Sequence, residues 1–192
     1  MRPDRAGAPE PSGEKAGGGR PRHPDPPIAG SYLMVRVDDR LLHGQVVLGW
    51  GQILAPRAYL IADDQAATDP WEREAFASAA PPGVELRVLG LEAFARGEAN
   101  DLAAEGTVVL VRGLPQVAAL VARGFRPRAG INLGGLHARG GSREILPYVH
   151  LTAGDEQLLA SLLAAGVSVY AQDLPGSARY EGEALRRKLA RR

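Results

Sequence analysis

The chain has 192 residues, no cysteine and a formal net charge of +1. This length suffices for one domain of ordinary size without disulfides, and the lack of cysteine excludes thiolate zinc sites and cysteine nucleophiles. The balanced charge argues against nucleic-acid binding. No apolar run approaches the roughly 18 residues of a membrane span, and the polar N-terminus lacks the apolar core of a signal peptide. We therefore expect a cytoplasmic protein that touches membranes only through partners.

Residues 1–30 differ in composition from the rest of the chain. They hold seven of the fifteen prolines and six of the glycines, and their charges nearly cancel. Such a segment buries too little apolar surface to offset the entropy that it would lose on ordering. We predict a disordered Pro/Gly-rich tail over residues 1–30 and one folded domain over residues 31–192.

From residue 32 onward, short apolar runs alternate with segments of helical period. The runs are rich in Val, Ile and Leu, as are strands covered on both faces, and they lie at residues 32–37, 58–62, 84–89, 107–111, 129–133, 148–151 and 167–171. Helices are predicted at residues 45–54, 69–79, 91–102, 115–123, 155–165 and 181–191, and Gly124 and Gly166 suit helix ends. After the Gly-rich stretch 134–144, the next strand enters without a crossover helix and is expected to run antiparallel. The alternation predicts an α/β fold with an open, mostly parallel sheet of about seven strands and helices on both faces.

The loop after the first predicted strand carries the most chemical information. In open α/β sheets, ligands bind beyond the carboxyl ends of the strands, and the N-terminus of the next helix favours an anion. His43 supplies an imidazole that is nucleophilic near neutral pH, and Arg40 offers a planar fork for phosphate oxygens. Gly44 lets the backbone approach a phosphate, and Asp38 or Asp39 would hold Arg40 or the imidazole in place. These residue types suit phosphoryl transfer, which depends on positioning and electrostatic stabilisation.

Spacing alone leaves other interpretations of this loop open. Consecutive Asp38, Asp39 and Arg40 are also typical of a solvated turn with a local ion pair, and His43 would then be an ordinary loop residue. The same loop also suits phosphate binding of another kind.

A longer segment of this region points to a family. Residues 35–47, Val-Arg-Val-Asp-Asp-Arg-Leu-Leu-His-Gly-Gln-Val-Val, resemble the active-site segment of the mannose/fructose/sorbose family of phosphotransferase system (PTS) IIB subunits. Residues 61–64, 69–72, 80–84, 131–136 and 165–175 resemble later segments of that family in the same order. The likeness extends over about residues 32–189.

The resemblance implies a protein-N(π)-phosphohistidine–sugar phosphotransferase. His43 would receive a phosphoryl group at Nδ1 from a phosphohistidine of the IIA protein and pass it to a sugar bound by the IIC and IID membrane subunits. Arg40 would steady the phosphoryl group, Asp38 would be the acidic residue of the loop, and Gly44 and Gln45 would belong to the phosphate-binding set. The resemblance implies no metal, no organic cofactor and no nucleic-acid partner.

Residues outside this loop are weaker candidates. Arg112 ends the fourth predicted strand at the ligand-binding edge, where we expect a phosphate or carboxylate contact. Asp63 and Asp64 follow the second strand and either face the site or cap a helix. His137 is interpreted as a surface residue or a partner contact, and Trp71 as a helix packing residue. The histidines lack metal-ligand spacing, which predicts no metal site.

Two further functions remain open at this point. A phosphorylated His43 also suits a regulatory IIB-like protein whose output is binding to another protein without transport. The third alternative is a non-catalytic interaction domain of the same fold, and the intact combination of Asp38, Arg40 and His43 argues against it.

Overall fold

The computed structural model describes residues 31–102 and 106–190, and within them seven strands form one sheet. In chain order the strands are β1 (Met34–Asp38), β2 (Ala58–Ala62), β3 (Glu85–Leu89), β4 (Thr107–Val111), β5 (Ile131–Gly135), β6 (Ser142–Leu146), β7 (Val149–Thr152), β8 (Val169–Ala171) and β9 (Tyr180–Glu181). The sheet order is β3-β2-β4-β1-β5-β8-β9. Neighbours are parallel except for β8 and β9, and β6 and β7 form a separate antiparallel hairpin.

Helical segments connect most of these strands. A π-helical segment (Gln45–Trp50) runs directly into α1 (Gly51–Leu54), and a 3₁₀ turn occupies Asn100–Leu102. The remaining helices are α2 (Asp64–Thr68), α3 (Pro70–Ala79), α4 (Leu91–Ala95), α5 (Leu114–Ala122), α6 (Ala153–Ala164) and α7 (Gly182–Ala190).

Alternate residues of the central strands face two hydrophobic cores, one on each side of the sheet. In the first core, Val35 and Val37 of β1 pack with side chains of α4 to α7, namely Phe94, Leu120, Leu159 and Leu185. In the second core, Met34 of β1 packs with side chains of the π-helical segment and α3, namely Val46, Trp50 and Phe76. Helices therefore cover both faces of a mostly parallel sheet, and the predicted fold class is confirmed.

Six of the seven predicted strands lie in the sheet. The prediction that the strand at residues 148–151 also belongs to the sheet is wrong. The predicted strand at residues 148–151 is β7, which pairs with β6 in the hairpin instead of joining the sheet. The seventh strand of the sheet is β9, whose two residues are too short for a periodic signal. The antiparallel entry expected after the Gly-rich stretch is wrong, because β7 forms a parallel bridge with the chain after β5, Leu136 with Val149, and its antiparallel partner is the unpredicted strand β6.

The predicted helices are present with two corrections. The helix predicted over residues 91–102 ends at Ala95, because Gly97 adopts a φ of 80° and only a 3₁₀ turn follows. The short helix α2 has no counterpart among the predictions. Gly124 and Gly166 have φ values of 95° and 76°, as expected at helix ends. The predicted tail at residues 1–30 and the end of the last predicted helix, residue 191, lie outside the described residues.

The topology opens a crevice at the carboxyl ends of β1 and β4. These strands are parallel neighbours with Val37 opposite Val111. The chain leaves β1 into the π-helical segment on one face of the sheet and leaves β4 into α5 on the other face. Such a reversal marks the usual ligand site of an open α/β sheet. The loop from Asp39 to Gly44 lies at this edge.

Candidate active site

Two buried leucines anchor the loop that follows β1. Leu41 and Leu42 pack into the second core, while Arg40 and His43 keep 45% and 16% of their side-chain surface exposed. Leu41 has a φ of 53°, a left-handed conformation that costs a non-glycine residue about 1 kcal/mol. The buried side chain holds this conformation and the Leu41 carbonyl is thereby turned toward His43. Backbone strain of this kind concentrates at functional sites.

The His43 ring is held by the backbone of its own loop. Nδ1 lies 2.9 Å from the Leu41 carbonyl oxygen and Nε2 lies 3.4 Å from Gln45 Oε1. Because a carbonyl oxygen only accepts, Nδ1 donates a hydrogen bond to Leu41. In the neutral ring Nε2 then carries the lone pair and lies near Gln45 Oε1 without a hydrogen bond, because that oxygen also only accepts. The Nδ1 lone pair is therefore available for bond formation only after Nδ1 has given up its proton and the ring has turned about its Cβ–Cγ bond.

Arg40 and His43 meet at a single oxygen. Gln45 Oε1, which lies 3.4 Å from His43 Nε2, also accepts a hydrogen bond from Arg40 Nη2. The π-helical segment begins at Gln45, and helical turns of this rare kind occur often at functional sites. An anion that replaced the Gln45 oxygen would contact the imidazole and the guanidinium together. The structure thus brings together the predicted residues Arg40, His43 and Gln45, with Gly44 between them.

Asp38 lies beneath this pair and is fully buried. Its Oδ1 accepts the backbone N–H of Arg40 at 3.2 Å and lies 3.9 Å from His43 Nδ1. Its Oδ2 accepts from Nη2 and Nε of Arg36 at 2.8 and 3.1 Å. Asp38 therefore orients the loop from below, as the sequence predicts, but its principal partner is an arginine that the predictions did not include.

Arg36 is a fully buried cation in the middle of β1. Its Nη1 donates to Asn132 Oδ1 at 2.9 Å and to the backbone oxygens of Gln172 and Asp173 at 3.2 and 3.1 Å. Burial lowers the pKa of Arg36 from its usual value, and the neighbouring Asp38 carboxylate opposes that shift. The available sequence signal was an arginine inside a buried apolar strand with an aspartate two positions later on the same face.

Glycines of β5 make room for this ion pair. A Cβ atom on Gly134 would lie 1.9 Å from Arg36 Cζ, and one on Gly135 would lie 2.8 Å from Asp38 Oδ2. The pairing of β1 with β5 is irregular here, because Val37 is opposite Leu133 and Asp38 is opposite Gly135. Gly134 is therefore an extra residue on β5, as in a β-bulge.

Asp39 does not hold Arg40 or the His43 ring, which corrects that alternative. Its carboxylate accepts from the backbone N–H and from Nδ1 of His137, both at 2.7 Å, and its N–H donates to the Gly135 oxygen at 2.9 Å. Asp39 thus ties the loop after β5 to the candidate active-site loop. His137 is exposed, as one of the two interpretations expected.

Arg112 lies at the predicted edge but is engaged by carboxylates. It donates to both oxygens of Asp63 at 3.0 Å and to Glu72 Oε2 at 2.6 Å. Burial alone would lower the pKa of Arg112, but the hydrogen bonds and charges of these carboxylates raise it. Of the two contacts expected for Arg112, the one with a carboxylate is present within the chain. A phosphate that bound Arg112 would have to compete with Asp63 and Glu72.

Asp63 and Asp64 have structural roles at helix starts, and Trp71 lies exposed on the surface. Asp63 caps α2 by accepting from Ala66, and Asp64 accepts from the N–H of Leu91. The prediction that Trp71 packs against the domain is wrong, because 82% of its surface is exposed.

Across residues 31–102 and 106–190, no three His, Cys, Asp or Glu side chains are grouped so as to hold a metal ion. None of the helices described is long and apolar enough to cross a membrane.

Known proteins with similar sequences and structures are sugar phosphotransferase components. The N-acetylgalactosamine-specific phosphotransferase enzyme IIB component 2 of Escherichia coli (strain K12) is 28% identical over 145 residues, which cover 76% of this chain and 92% of that protein. The PTS system sorbose-specific EIIB component of Klebsiella pneumoniae is 29% identical over 136 residues, which cover 71% of this chain and 83% of that protein. The crystal structure of the IIBSor domain of the sorbose permease from Klebsiella pneumoniae superposes with a TM-score of 0.69 at 27% identity, covering 81% of this chain and 94% of that chain.

These likenesses define the class as a IIB component of a sugar phosphotransferase system. The chain belongs to the family described as PTS system sorbose subfamily IIB component, whose model matches residues 32–190. The predicted family resemblance is confirmed, and the chain is a phosphotransferase component of sugar transport. IIB components work with IIA and with IIC and IID partners in general.

Proposed function

We propose that His43 accepts a phosphoryl group from the phosphohistidine of a IIA protein and donates it to a sugar held by IIC and IID subunits at the cytoplasmic side of a membrane. The observation that carries this proposal is the convergence of the His43 ring and the Arg40 guanidinium on one oxygen, Gln45 Oε1. That position lies at the carboxyl edge of the sheet, where a small anion is expected.

The transfer is a pair of displacements at phosphorus. In the first, a nitrogen of the neutral His43 ring forms a P–N bond while the P–N bond of the IIA histidine breaks. In the second, a sugar hydroxyl oxygen forms a P–O bond, the P–N bond of His43 breaks and the hydroxyl proton leaves to a base. Negative charge remains on the three equatorial oxygens throughout. Arg40 stabilises that charge with its planar fork, aided by the N-terminus of the helical segment.

We propose Nδ1 as the acceptor atom, following the family resemblance. Because Nδ1 of the resting ring donates to the Leu41 carbonyl, acceptance at Nδ1 needs two changes. The Nδ1 proton leaves to solvent while Nε2 takes one up, so that the lone pair lies on Nδ1, and the ring turns away from Leu41. The turn exposes a nitrogen that is otherwise held by the backbone.

Labelling with phosphoenolpyruvate and the upstream phosphotransferase proteins tests this proposal. We expect the chain to become an acid-labile, alkali-stable phosphoprotein, and His43→Gln to abolish the label without changing the fold. His137→Gln is the matched control, because His137 is an exposed histidine bonded to the same loop through Asp39. Label that persists in His43→Gln, or that disappears only in His137→Gln, would place the phosphoryl group elsewhere.

The names of the relatives favour transport over a purely regulatory output. Both relatives described above are named for a sugar, N-acetylgalactosamine or sorbose. We propose a sugar-specific transport role for this chain on that basis, with a IIA donor and IIC and IID acceptor subunits as its partners.

A further inference from the structure

We propose that Trp71, at the start of α3, is the aromatic anchor of a docking surface for the IIA protein. The inference rests on the proposed function, in which IIA brings the phosphoryl group to His43. Of the two tryptophans in the chain, Trp50 is buried, whereas 82% of the surface of Trp71 is exposed. Exposure of so much apolar surface gives the free chain no stability, and tryptophan is enriched among the residues that contribute most to protein–protein binding.

The backbone around Trp71 holds the indole in a defined place. Pro70 is the first residue of α3, and the Asp69 carboxylate caps the helix by accepting the N–H groups of Trp71 and Glu72 at 2.8 and 3.4 Å. A proline in the first turn and a carboxylate cap both favour this helix start. The tryptophan side chain has only two torsions, so its immobilisation by a partner costs little conformational entropy. Trp71 is therefore prepared for binding before a partner arrives.

A series of contacts places Trp71 on the same edge of the sheet as His43. Glu72, the next residue along α3, accepts a hydrogen bond from Arg112 at 2.6 Å. Arg112 directly follows β4, which is the parallel neighbour of β1, and one strand spacing of about 5 Å separates the two strands. The helical segment after His43 and α3 pack on the same face of this sheet. A protein that approaches His43 over that face therefore meets the indole of Trp71.

The charge around Trp71 favours IIA as the occupant of this surface. Residues 63–74 contain five acidic residues and one basic residue, and Asp64 and Glu74 are exposed. The phosphohistidine of IIA carries several negative oxygens that need cations and N–H donors around them, so the rim of its site is complementary to an acidic surface. The subunits that hold the sugar present a neutral hydroxyl and have no such requirement. An anionic membrane surface would be repelled by the same carboxylates.

The two features have different effects on docking. Burial of the indole, which can remove about 200 Å² from water, slows dissociation of IIA. The carboxylates are exposed, so they mainly accelerate the encounter and lose their effect as salt is added. Neither feature contacts the reacting atoms in the proposed transfer. Both therefore change KM for IIA and leave kcat unchanged.

Steady-state transfer from a purified IIA protein that phosphorylates the wild-type full chain tests this role. We expect Trp71→Ala to raise KM for phosphorylated IIA by about 10- to 100-fold, with kcat within about 2-fold of the wild type. Trp71→Phe, which keeps an aromatic ring, should raise KM by less. Ile53→Ala is the matched control, because Ile53 is also 68% exposed but lies ten residues after His43, about 15 Å further along the helical segment. The control should keep the wild-type KM.

Substitution of Glu74 tests the electrostatic part. Glu74 lies three residues after Trp71 on α3, so the two side chains are neighbours on the helix surface. We expect Glu74→Lys to raise KM for IIA at low salt by about 3-fold or more and to match the wild type at high salt. An effect of Glu74→Lys that is equal at both salt concentrations, or a lower KM, would contradict the charge complementarity and with it the choice of IIA.

Fluorine nuclear magnetic resonance reports on the indole without relying on turnover. The full chain labelled with 5-fluorotryptophan gives two signals, and Trp71→Phe identifies the one from Trp71. We expect unphosphorylated IIA to shift the Trp71 signal more than that of the buried Trp50. Vesicles of phosphatidylglycerol in place of IIA should leave the Trp71 signal unchanged.

The results that overturn the inference differ from those that overturn the proposed function. A wild-type KM in Trp71→Ala, or a loss of kcat at constant KM, would show that the indole does not anchor IIA. A Trp71 signal that shifts with vesicles and not with IIA would assign the indole to a membrane surface instead. Each of these results leaves phosphoryl transfer to the wild type intact and refutes the inference alone. A wild-type chain that accepts no phosphoryl group refutes the proposed function and the inference with it.

Discussion

At the scale of single residues, the candidate site depends on one backbone conformation. Leu41 is buried and left-handed, and its carbonyl oxygen accepts a hydrogen bond from Nδ1 of His43. Leu42 is buried beside it, so the two leucines turn Arg40 and His43 outward from a loop that is otherwise fixed to the core. The two leucines therefore fix the shape of the loop, which does not depend on contacts of the Arg40 and His43 side chains.

Arg40 is expected to contribute through the geometry of its fork as well as through its charge. Arg40→Lys keeps the charge but loses the planar pair of donors, and we predict that the rate of transfer from IIA falls by about 10- to 100-fold. Rapid-quench labelling measures this rate. Arg87→Lys, which alters an arginine on β3, is the control and should transfer at the wild-type rate. A wild-type rate for Arg40→Lys would mean that the fork does not contact the phosphoryl group.

At the scale of elements, the end of β1 and the bulge of β5 form one unit around the Arg36–Asp38 pair. In the sequence, Gly134 and Gly135 belong to the Gly-rich stretch and to a segment that resembles the family, with no role assigned to either residue. In the structure they are the places where two buried charged side chains lie against the neighbouring strand. Glycine is needed at Gly134 for space and not for a left-handed φ, since its φ is not positive.

Gly134→Ala tests this packing directly. The added methyl group would overlap the guanidinium, so we predict a loss of about 1–3 kcal/mol in the free energy of unfolding, together with slower phosphoryl transfer. Urea denaturation measures the first effect and labelling the second. Gly140→Ala is the control, because a Cβ at Gly140 meets nothing within 4 Å. Unchanged stability in Gly134→Ala would show that Arg36 does not occupy the space assigned to it.

The central strands and the candidate loop could be predicted from the sequence because their signals are local. Strands such as β2 and β4 are continuous buried apolar runs, and the loop residues Asp38, Arg40 and His43 lie within six positions of one another. The role of Arg36 could not be predicted in the same way, because its partners Asn132 and Gln172 are 96 and 136 positions away. The two-residue β9 depends on tertiary pairing that leaves no period in the sequence. The end of α4 did have a local signal, Gly97, which adopts a positive φ.

At the scale of the whole molecule, the sheet topology gives the site its place. The chain turns to opposite faces after β1 and β4, and the crevice between their ends receives the loop with His43. A phosphoryl carrier must present one nitrogen to two partners in turn, and a loop at an open sheet edge suits that requirement. The same edge holds Arg112, but Asp63 and Glu72 engage its guanidinium.

Nuclear magnetic resonance of the phosphorylated full chain with ¹⁵N-labelled histidine tests the assignment of His43 directly. After transfer from IIA, the coupling of ³¹P to ring ¹⁵N identifies both the histidine and the nitrogen that carry the group. We predict one phosphohistidine, at Nδ1 of His43, with the ring turned away from the Leu41 carbonyl. Phosphate on Nε2 of His43 would contradict the ring turn, and phosphate on any other residue would contradict the assignment of the active site.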